Sequence, residues 1–242
     1  MYSRRTSIDR VLLKRVTKLL DPLNSNDVII QICLERISGN NYYMKKYYSL
    51  YPKENKEGAS AFLSDDVTMP CKIIHDSDGL LQLPYDLTLY CIRVTHDGLQ
   101  ISQDFSGLKE IWLDYLPNNQ AWPLFSSQLK KCVDTCLTGQ EKLQWIRCHV
   151  VYNHEVRNYY IPMFHEQFDI LDESKCIFAG NGRIIKRVYS QSKIQKYSIF
   201  PIPNMDNWWE ILPTLFVSDD IRKNIKKANL TGVALKSAPI SC

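Results

Sequence analysis

A short motif occurs twice in the chain, at residues 126–139 and again at 218–232. With one gap, the copies align from a serine at the start to a shared Leu-Thr-Gly that ends at Gly139 or Gly232. A serine hydroxyl commonly caps a helix by accepting a hydrogen bond from a free backbone N–H. Glycine ends helices, because it adopts the left-handed conformation at little cost. Each copy therefore predicts a short capped helix leading into a strand. Together they indicate a weak internal repeat, the alternative being generic helix punctuation.

The apolar residues of the two copies predict how the helices pack. Leu129 and Val133 are four residues apart, so they lie on one face of the first helix. Ile221 and Ile225 have the same spacing in the second copy. We expect each apolar face to pack onto the strand that follows the helix, and we expect Ser218 to cap the second helix with its side chain.

Most of the remaining chain shows the alternation of apolar and polar residues that is typical of strands. The alternation is clear over residues 87–94, and Asp97-Gly98 then supplies the positive φ angles of a tight hairpin turn. A second alternation, over 42–49, interleaves tyrosine and lysine and predicts a half-buried strand. We predict an α+β fold, in which mixed and antiparallel sheets carry a few short capped helices.

Three parts of the chain differ in pattern. Residues 1–38 are predicted to be an N-terminal helical segment, because apolar residues between 7 and 20 recur at helical spacing. Residues 39–120 predict a β-rich subdomain, and residues 121–242 predict an α+β subdomain. The run 116–123, rich in proline and asparagine, is predicted to link the last two parts.

The composition limits the classes of partner. Among 242 residues, 30 basic residues face 26 acidic ones, the two signs are mixed, and the net charge is only +4. Because nucleic-acid-binding proteins usually show a concentrated basic face, we expect no nucleic-acid partner. No segment is apolar enough to cross a membrane and no signal peptide is recognisable, so we expect a cytoplasmic protein without a membrane partner. Eight cysteines without Cys-x-x-Cys spacing fit buried hydrophobes in a reducing compartment.

Residues capable of chemistry are present, but they form no recognisable site. Cys148 and His149 are neighbours in a predicted strand, so their side chains point to opposite faces and cannot pair directly. The acidic run 165–173 lacks the glycine and the terminal glutamate of a calcium loop. Residues 180–183 lack the lysine of a phosphate-binding loop and predict a hairpin turn. We therefore expect no catalytic residue, no metal and no cofactor, and we predict that the protein is not an enzyme.

Five segments resemble a known family when their order and spacing are taken together. They are Trp122-Pro123-Leu124-Phe125-Ser126, residues 137–145 (LTGQEKLQW), Tyr159-Tyr160-Ile161-Pro162, Phe216-Val217-Ser218 and Leu230-Thr231-Gly232-Val233. These segments resemble bacterial immunity proteins of polymorphic toxin systems, in particular the immunity family numbered forty-three, with family eleven as a relative. The resemblance covers about residues 40–238 and leaves residues 1–38 unmatched.

The resemblance implies a cytoplasmic protein that binds a cognate toxin domain and neutralises it by stoichiometric protein–protein inhibition. The contact surface should combine aromatic anchors with charged residues, because a few such residues usually dominate the binding energy. We predict this surface in two segments, one starting at the turn near residue 154 and one in the loop 201–213. The candidate partner-binding residues are Glu155, Tyr159, Glu166, Asp169, Asp172, Glu173, Asp206, Trp208, Trp209 and Glu210.

Two other functions remain open at this point. The interleaved tyrosines and lysines of residues 42–53 could stack on and neutralise a nucleic acid. Residues 149–173 could hold an enzyme site with an unfamiliar pattern. The net charge of +4 also departs from the acidic surface with which an inhibitor meets a basic nuclease. Either the contact patch is locally acidic, or the toxin is not a basic nuclease.

Overall fold

The computed structural model describes residues 45–53, 55–67, 72–202 and 214–241. The predicted N-terminal helical segment 1–38 and most of the loop 201–213 lie outside these residues. Within the described part of the chain, strands predominate and the helices are few and short. This confirms the predicted α+β fold class. No helix in these residues is long and apolar enough to cross a membrane.

Sixteen strands and three helices lie in the described residues. The strands of the first half are β1 (Tyr47–Pro52), β2 (Glu57–Phe62), β3 (Ile74–His75), β4 (Leu81–Thr95), β5 (Gly98–Ser102), β6 (Tyr115–Leu116) and β7 (Leu124–Ser126). Those of the second half are β8 (Leu143–Tyr152), β9 (Glu155–Phe164), β10 (Ile177–Phe178), β11 (Ile184–Lys186), β12 (Tyr189–Ser190), β13 (Ile199–Pro201), β14 (Leu215–Ser218), β15 (Val233–Ser237) and β16 (Ile240–Ser241). The helices are α1 (Ser127–Asp134), α2 (Gln191–Ile194) and α3 (Asp219–Lys227), with a 3-10 turn at Glu173–Lys175.

Two sheets form most of the described structure. The larger has the order β2-β4-β8-β9-β7-β6, with β3 and β5 also paired to β4, and only its β4–β8 pair is parallel. The smaller has the order β13-β14-β1-β15 and is antiparallel throughout. Both sheets contain strands from before and after residue 120. The described residues on the two sides of that predicted boundary are therefore joined by strand pairing.

The internal repeat is visible in the strand order. In the first repeat, β7 leads into α1 and then β8, and both strands pair with the antiparallel strand β9 that lies between them. In the second repeat, β14 leads into α3 and then β15, and both pair with β1. The outer strands match as well, because β6 pairs with β7 and β13 pairs with β14. Both repeats therefore have the same strand order: an outer strand (β6 or β13), the strand before the helix (β7 or β14), a central strand (β9 or β1) and the strand after the helix (β8 or β15). They differ in that β1, the central strand of the second repeat, comes from the start of the described chain.

Equivalent hydrogen bonds support this correspondence. The backbone N–H of Ser126 donates to the carbonyl oxygen of Asp114 at 2.8 Å. In the second repeat, the N–H of Ser218 donates to the carbonyl oxygen of Ser198, also at 2.8 Å. Asp114 and Ser198 both lie just before an outer strand, so they occupy equivalent positions.

The central strands carry equivalent tyrosines. Tyr159 pairs in register with Ser126, and its buried hydroxyl donates to the carbonyl oxygen of Leu113 at 2.8 Å. Tyr47 pairs in register with Ser218, and its buried hydroxyl donates to the carbonyl oxygen of Tyr197 at 2.8 Å. The motif at 126–139 and 218–232 is therefore the visible part of a larger structural duplication.

The two longer helices bury the predicted apolar residues, and they do so against more strands than the one predicted. Leu129, Val133, Ile221 and Ile225 all lie in one buried cluster. The main strand contacts of α1 are with β7 and β9, those of α3 are with β14 and β1, and the two helices also contact each other. Residues of the following strands also pack against this cluster, namely Leu143 and Trp145 of β8 and Val233 and Leu235 of β15. The expected packing on the following strand is therefore only part of the packing, because the preceding and central strands contribute more contacts.

The two serines at the helix starts differ in their side-chain contacts. The hydroxyl of Ser126 accepts a hydrogen bond from the N–H of Leu129 at 3.2 Å and donates to the carboxylate of Asp114 at 2.5 Å. The hydroxyl of Ser218 is buried and has no hydrogen-bond partner among the described residues. The prediction that Ser218 caps α3 with its side chain was wrong. Asp219 and Asp220 supply the favourable negative charge in the first turn of α3 instead.

Alanine substitutions should separate these two roles. We expect Ser126→Ala to lower the free energy of unfolding by about 1 kcal/mol, because the cap is lost. We expect Ser218→Ala to leave it nearly unchanged or to raise it, because a buried hydroxyl without a partner is removed. Urea denaturation of both variants measures the difference, and equal losses would contradict this assignment.

The glycines that end the two motifs have the predicted left-handed backbone. Gly139 has a φ of 84° and Gly232 has a φ of 70°. A Cβ on Gly139 would meet nothing within 4 Å, whereas one on Gly232 would lie 2.5 Å from the carbonyl oxygen of Tyr115 and 2.8 Å from Cβ of Leu113. The second glycine is therefore required by close packing as well as by its backbone angle.

Substituting these glycines gives a matched test of that close approach. We expect Gly139→Ala to destabilise the protein by roughly 1–2 kcal/mol, the cost of a left-handed residue with a Cβ. Gly232→Ala should cost clearly more, because the backbone of Tyr115 would have to move. Thermal unfolding of the two variants compares them, and a Gly232→Ala variant no less stable than Gly139→Ala would argue against the packing described here.

Candidate functional site

An open groove of about 580 Å³ lies where the start of α1 and the end of α3 meet the start of β9. We call it the Trp112 groove. Its walls come from four places in the sequence: the segment before β6, the start of α1, the first residues of β9, and the residues after α3. The lining side chains used below are Glu110, Trp112, Asp114, Val156, Arg157 and Thr231.

The Asp114 carboxylate joins the two repeats in this groove. One of its oxygens accepts from the hydroxyl of Ser126, before α1. The other accepts from the N–H of Thr231 at 2.9 Å and from its hydroxyl at 3.3 Å, after α3. A carboxylate that accepts several hydrogen bonds holds its donors in fixed positions. This part of the groove is therefore held firmly by both repeats.

A cation–π contact forms the rim of the groove. The guanidinium of Arg157 lies over the ring of Trp112, 4.6 Å from its centroid. Its Nε also donates to the carboxylate of Glu155 at 2.6 Å. Trp112 is half-buried, while Arg157, Glu155 and the neighbouring Val156 are exposed. These contacts hold the side chains of Arg157 and Trp112 in a fixed arrangement at the surface.

Two predicted partner-binding residues lie at this groove, with different roles. Glu155 is exposed at the rim, where its carboxylate holds Arg157. Tyr159 points inward, since alternate residues of β9 face opposite sides. Its hydroxyl is committed to Leu113, and burial raises the pKa of that phenol. Tyr159 therefore braces the groove from inside, and the prediction that it is a surface anchor was wrong.

The acidic residues of the predicted surface lie near the other end of β9. That strand has 10 residues, so Glu155 and the segment that follows Phe164 are roughly 30 Å apart at about 3.3 Å per residue. Glu166 and Glu173 are exposed, and Asp169 forms an ion pair with Lys193 at 2.7 Å. The structure does not bring these residues together with Glu155.

Asp172 has an internal role within this acidic segment. Its carboxylate accepts from the hydroxyl of Ser174 at 2.6 Å and from that of Ser241 at 2.9 Å. These hydrogen bonds, with Lys175 nearby, lower the pKa of the Asp172 carboxyl. Through Ser241 the carboxylate anchors β16, so it is less available to a partner than Glu173 is.

The remaining predicted surface residues cannot be placed. Asp206, Trp208, Trp209 and Glu210 lie outside the described residues, so their role stays a prediction. Trp112 and Arg157 were not predicted to meet, because they are far apart in sequence and no local pattern links them. Trp112 lies just before β6, which begins at Tyr115. In the sequence, this contact is suggested only by the position of Trp112 among charged residues, after Glu110 and before Asp114.

Other candidate chemistry is separated or internal. Cys148 is buried, its thiol donates to the carbonyl oxygen of Tyr159, and burial raises the pKa of that thiol. His149 points the other way and lies 3.2 Å from the carboxylate of Asp86. Residues 179–183 form the predicted turn between β10 and β11. Within the described ranges, no three residues among His, Cys, Asp and Glu cluster as they would around a metal ion.

Asp172, which bonds to other parts of the protein, and its exposed neighbour Glu173 can be compared by substitution. We expect Asp172→Ala to speed amide hydrogen exchange at Ile240 and Ser241, because the anchor of β16 is lost. Glu173→Ala, the matched control, should leave that exchange unchanged. Acidification should lower the protection factors of the same amides, that is, the slowing of their exchange relative to an unfolded chain at the same pH. The folded pKa is lowered, so the stabilisation is present above the ordinary pKa of about 3.9 and is lost as the pH falls through the folded value. Equal exchange in both variants would remove the assigned role.

Comparison with models of known protein families found no match, and comparison with curated proteins found none either.

Proposed function

We propose that the protein is a cytoplasmic immunity protein, which binds a cognate toxin domain through the Trp112 groove and inhibits it stoichiometrically, without chemistry of its own. The observation that carries this proposal is the exposed contact between Trp112 and Arg157. Tryptophan and arginine are among the residues that most often dominate protein–protein binding energy. The sequence resemblance to immunity proteins supports the same function.

The rim favours binding because its side chains are already held in place. Ordering a long side chain at an interface costs roughly 0.5–1.5 kcal/mol, and a side chain fixed beforehand avoids much of that cost. Arg157 is fixed by the ring on one side and by Glu155 on the other. Next to it, Val156 offers apolar surface, with 55% of the residue exposed. A partner would therefore meet a prepared surface with an apolar contact beside it.

The local charge of the groove favours a basic partner. Two carboxylates, those of Glu110 and Asp114, line the groove against one guanidinium, that of Arg157, which is itself paired with Glu155. The lining of the groove is therefore more acidic than the chain as a whole, which has a net charge of +4. Complementary charge speeds encounter and selects the register of a complex. A toxin domain with lysine or arginine at its contact surface fits this groove.

The two alternative functions gain less support. In the described part of segment 42–53, Lys45 and Tyr47 bond to the protein's own backbone, and Arg222 lies over the ring of Tyr48. These side chains are engaged internally and are poorly placed to stack on a nucleic acid. In the segment 149–173, His149 lies 3.2 Å from the carboxylate of Asp86, whereas the neighbouring thiol of Cys148 is buried on the opposite face of β8.

Co-expression with the product of the adjacent gene tests the function. We expect the wild-type chain to co-purify with that product and to protect cells from it. Trp112→Ala and Glu155→Lys should weaken the complex at least tenfold, or about 1.4 kcal/mol, because the prepared rim is lost. Calorimetry on the purified pair measures this.

Charge reversals at the other end of β9 are the matched controls. Glu166→Lys and Glu173→Lys change the same charge on exposed side chains, and both should bind as the wild type does. If these two weaken the complex while the Trp112 and Glu155 variants bind normally, the contact surface is the acidic segment. If the wild-type chain neither binds nor protects, the proposed function is wrong.

A further inference from the structure

We infer that the Trp112 groove receives a lysine side chain of the partner, at a position equivalent to the one that the protein fills with its own Lys45 in the second repeat. The partner's identity rests on the proposed function, but the lysine site is argued from the two repeats alone. It follows from comparing the same place in the two copies of the fold.

Lys45 and Arg157 occupy equivalent positions relative to the central strands of the two repeats. Lys45 lies two residues before Tyr47, and Arg157 lies two residues before Tyr159. Because these tyrosines pair with equivalent serines, Lys45 and Arg157 occupy equivalent positions. Each therefore approaches the segment that precedes an outer strand.

In the second repeat, the ammonium group is bound. Nζ of Lys45 donates to the carbonyl oxygen of Tyr197 at 2.8 Å and lies 3.3 Å from the hydroxyl of Ser198. Burial lowers the pKa of this lysine, while the nearby carboxylates of Asp220 and Glu141 oppose that shift. The fold at this position thus accommodates a half-buried ammonium group.

In the first repeat, the equivalent acceptors are present without such a cation. Leu113 corresponds to Tyr197, and the Asp114 carboxylate stands where the second repeat has the Ser198 hydroxyl. Arg157 turns away from both, toward Trp112 and Glu155. Among the described side chains, no lysine or arginine forms an ion pair with Asp114.

The acceptors of the first repeat suit an ammonium group better than those of the second. A carboxylate offers about four lone-pair sites, and Asp114 accepts three hydrogen bonds, from Ser126 and Thr231. A charge-assisted bond from an ammonium group is stronger than one to a neutral hydroxyl. Glu110 adds a second carboxylate to the lining of the groove. Lysine is a compact cation with three rotatable donors on a flexible stem, so its ammonium group can reach the half-buried carboxylate of Asp114 from the open groove.

A short peptide tests the site without the toxin. The probe is acetyl-Gly-Lys-Gly-amide, and its control is the same peptide with norleucine, which keeps the stem and lacks the charge. We expect the lysine peptide to shift the indole N–H resonance of Trp112 in a saturable way, and the norleucine peptide to bind at least tenfold more weakly. Equal binding of both peptides would overturn the inference.

Arg157→Lys is the decisive variant, because it makes the first repeat resemble the second. The new lysine should reach the acceptors at Leu113 and Asp114, fill the site from within, and weaken binding of the lysine peptide at least tenfold. Arg183→Lys makes the same chemical change on the exposed turn before β11 and should bind the peptide as the wild type does. Unchanged binding by Arg157→Lys would also overturn the inference.

The outcomes separate this inference from the proposed function. If the lysine peptide binds the wild type but not Arg157→Lys, while no toxin domain is captured, the lysine site stands and the immunity function fails. If Trp112→Ala abolishes toxin binding but the peptide produces no shift at Trp112, the function stands and the lysine site fails.

Discussion

The carboxylate of Asp114 accepts hydrogen bonds from both repeats, and the arrangement of the two helices depends on it. It holds the residue before α1 and the residues after α3 in one place, and Asn224 of α3 also contacts Thr135 and Cys136 at the end of α1. The close approach of Gly232 to the backbone of Tyr115 occurs beside the same point. A single side chain thus couples the start of one unit to the end of the other.

Differences between the repeats account for the groove. Where the first repeat has Asp114 and Arg157, the second has Ser198 and Lys45, and the second also adds the short helix α2 before its outer strand. In the second repeat, Lys45 fills the position by donating to the backbone carbonyl of Tyr197. In the first repeat, Arg157 packs on Trp112 instead and leaves the equivalent position open. The two repeats therefore share one strand arrangement and differ at a few side chains, which leave one position filled and the other accessible.

The elements that depend on neighbours in sequence were the ones that could be predicted. The two helices, their terminal glycines and the hairpin after β4 follow from caps, spacing and turn residues within a few positions. The isolated hydroxyl of Ser218 could not be predicted, because it depends on a carboxylate that is present at 114 and missing at 198. The contact of Trp112 with Arg157 could not be predicted from the sequence either, because it depends on β9 passing next to the segment before β6. The inward direction of Tyr159 depends on the same placement.

The position of β1 in the fold has a consequence for how the chain is made. The first unit is contiguous, from β6 to β9, so it can form as soon as that stretch has left the ribosome. The second unit needs β1 from the beginning and β14 and β15 from the end of the described chain. Closing so long a loop is entropically costly and slow. Until β14 and β15 have been synthesised, β1 has neither of its neighbouring strands. A chain cut before β14 would therefore keep both edges of β1 unpaired, and unpaired strand edges are prone to pair with other chains.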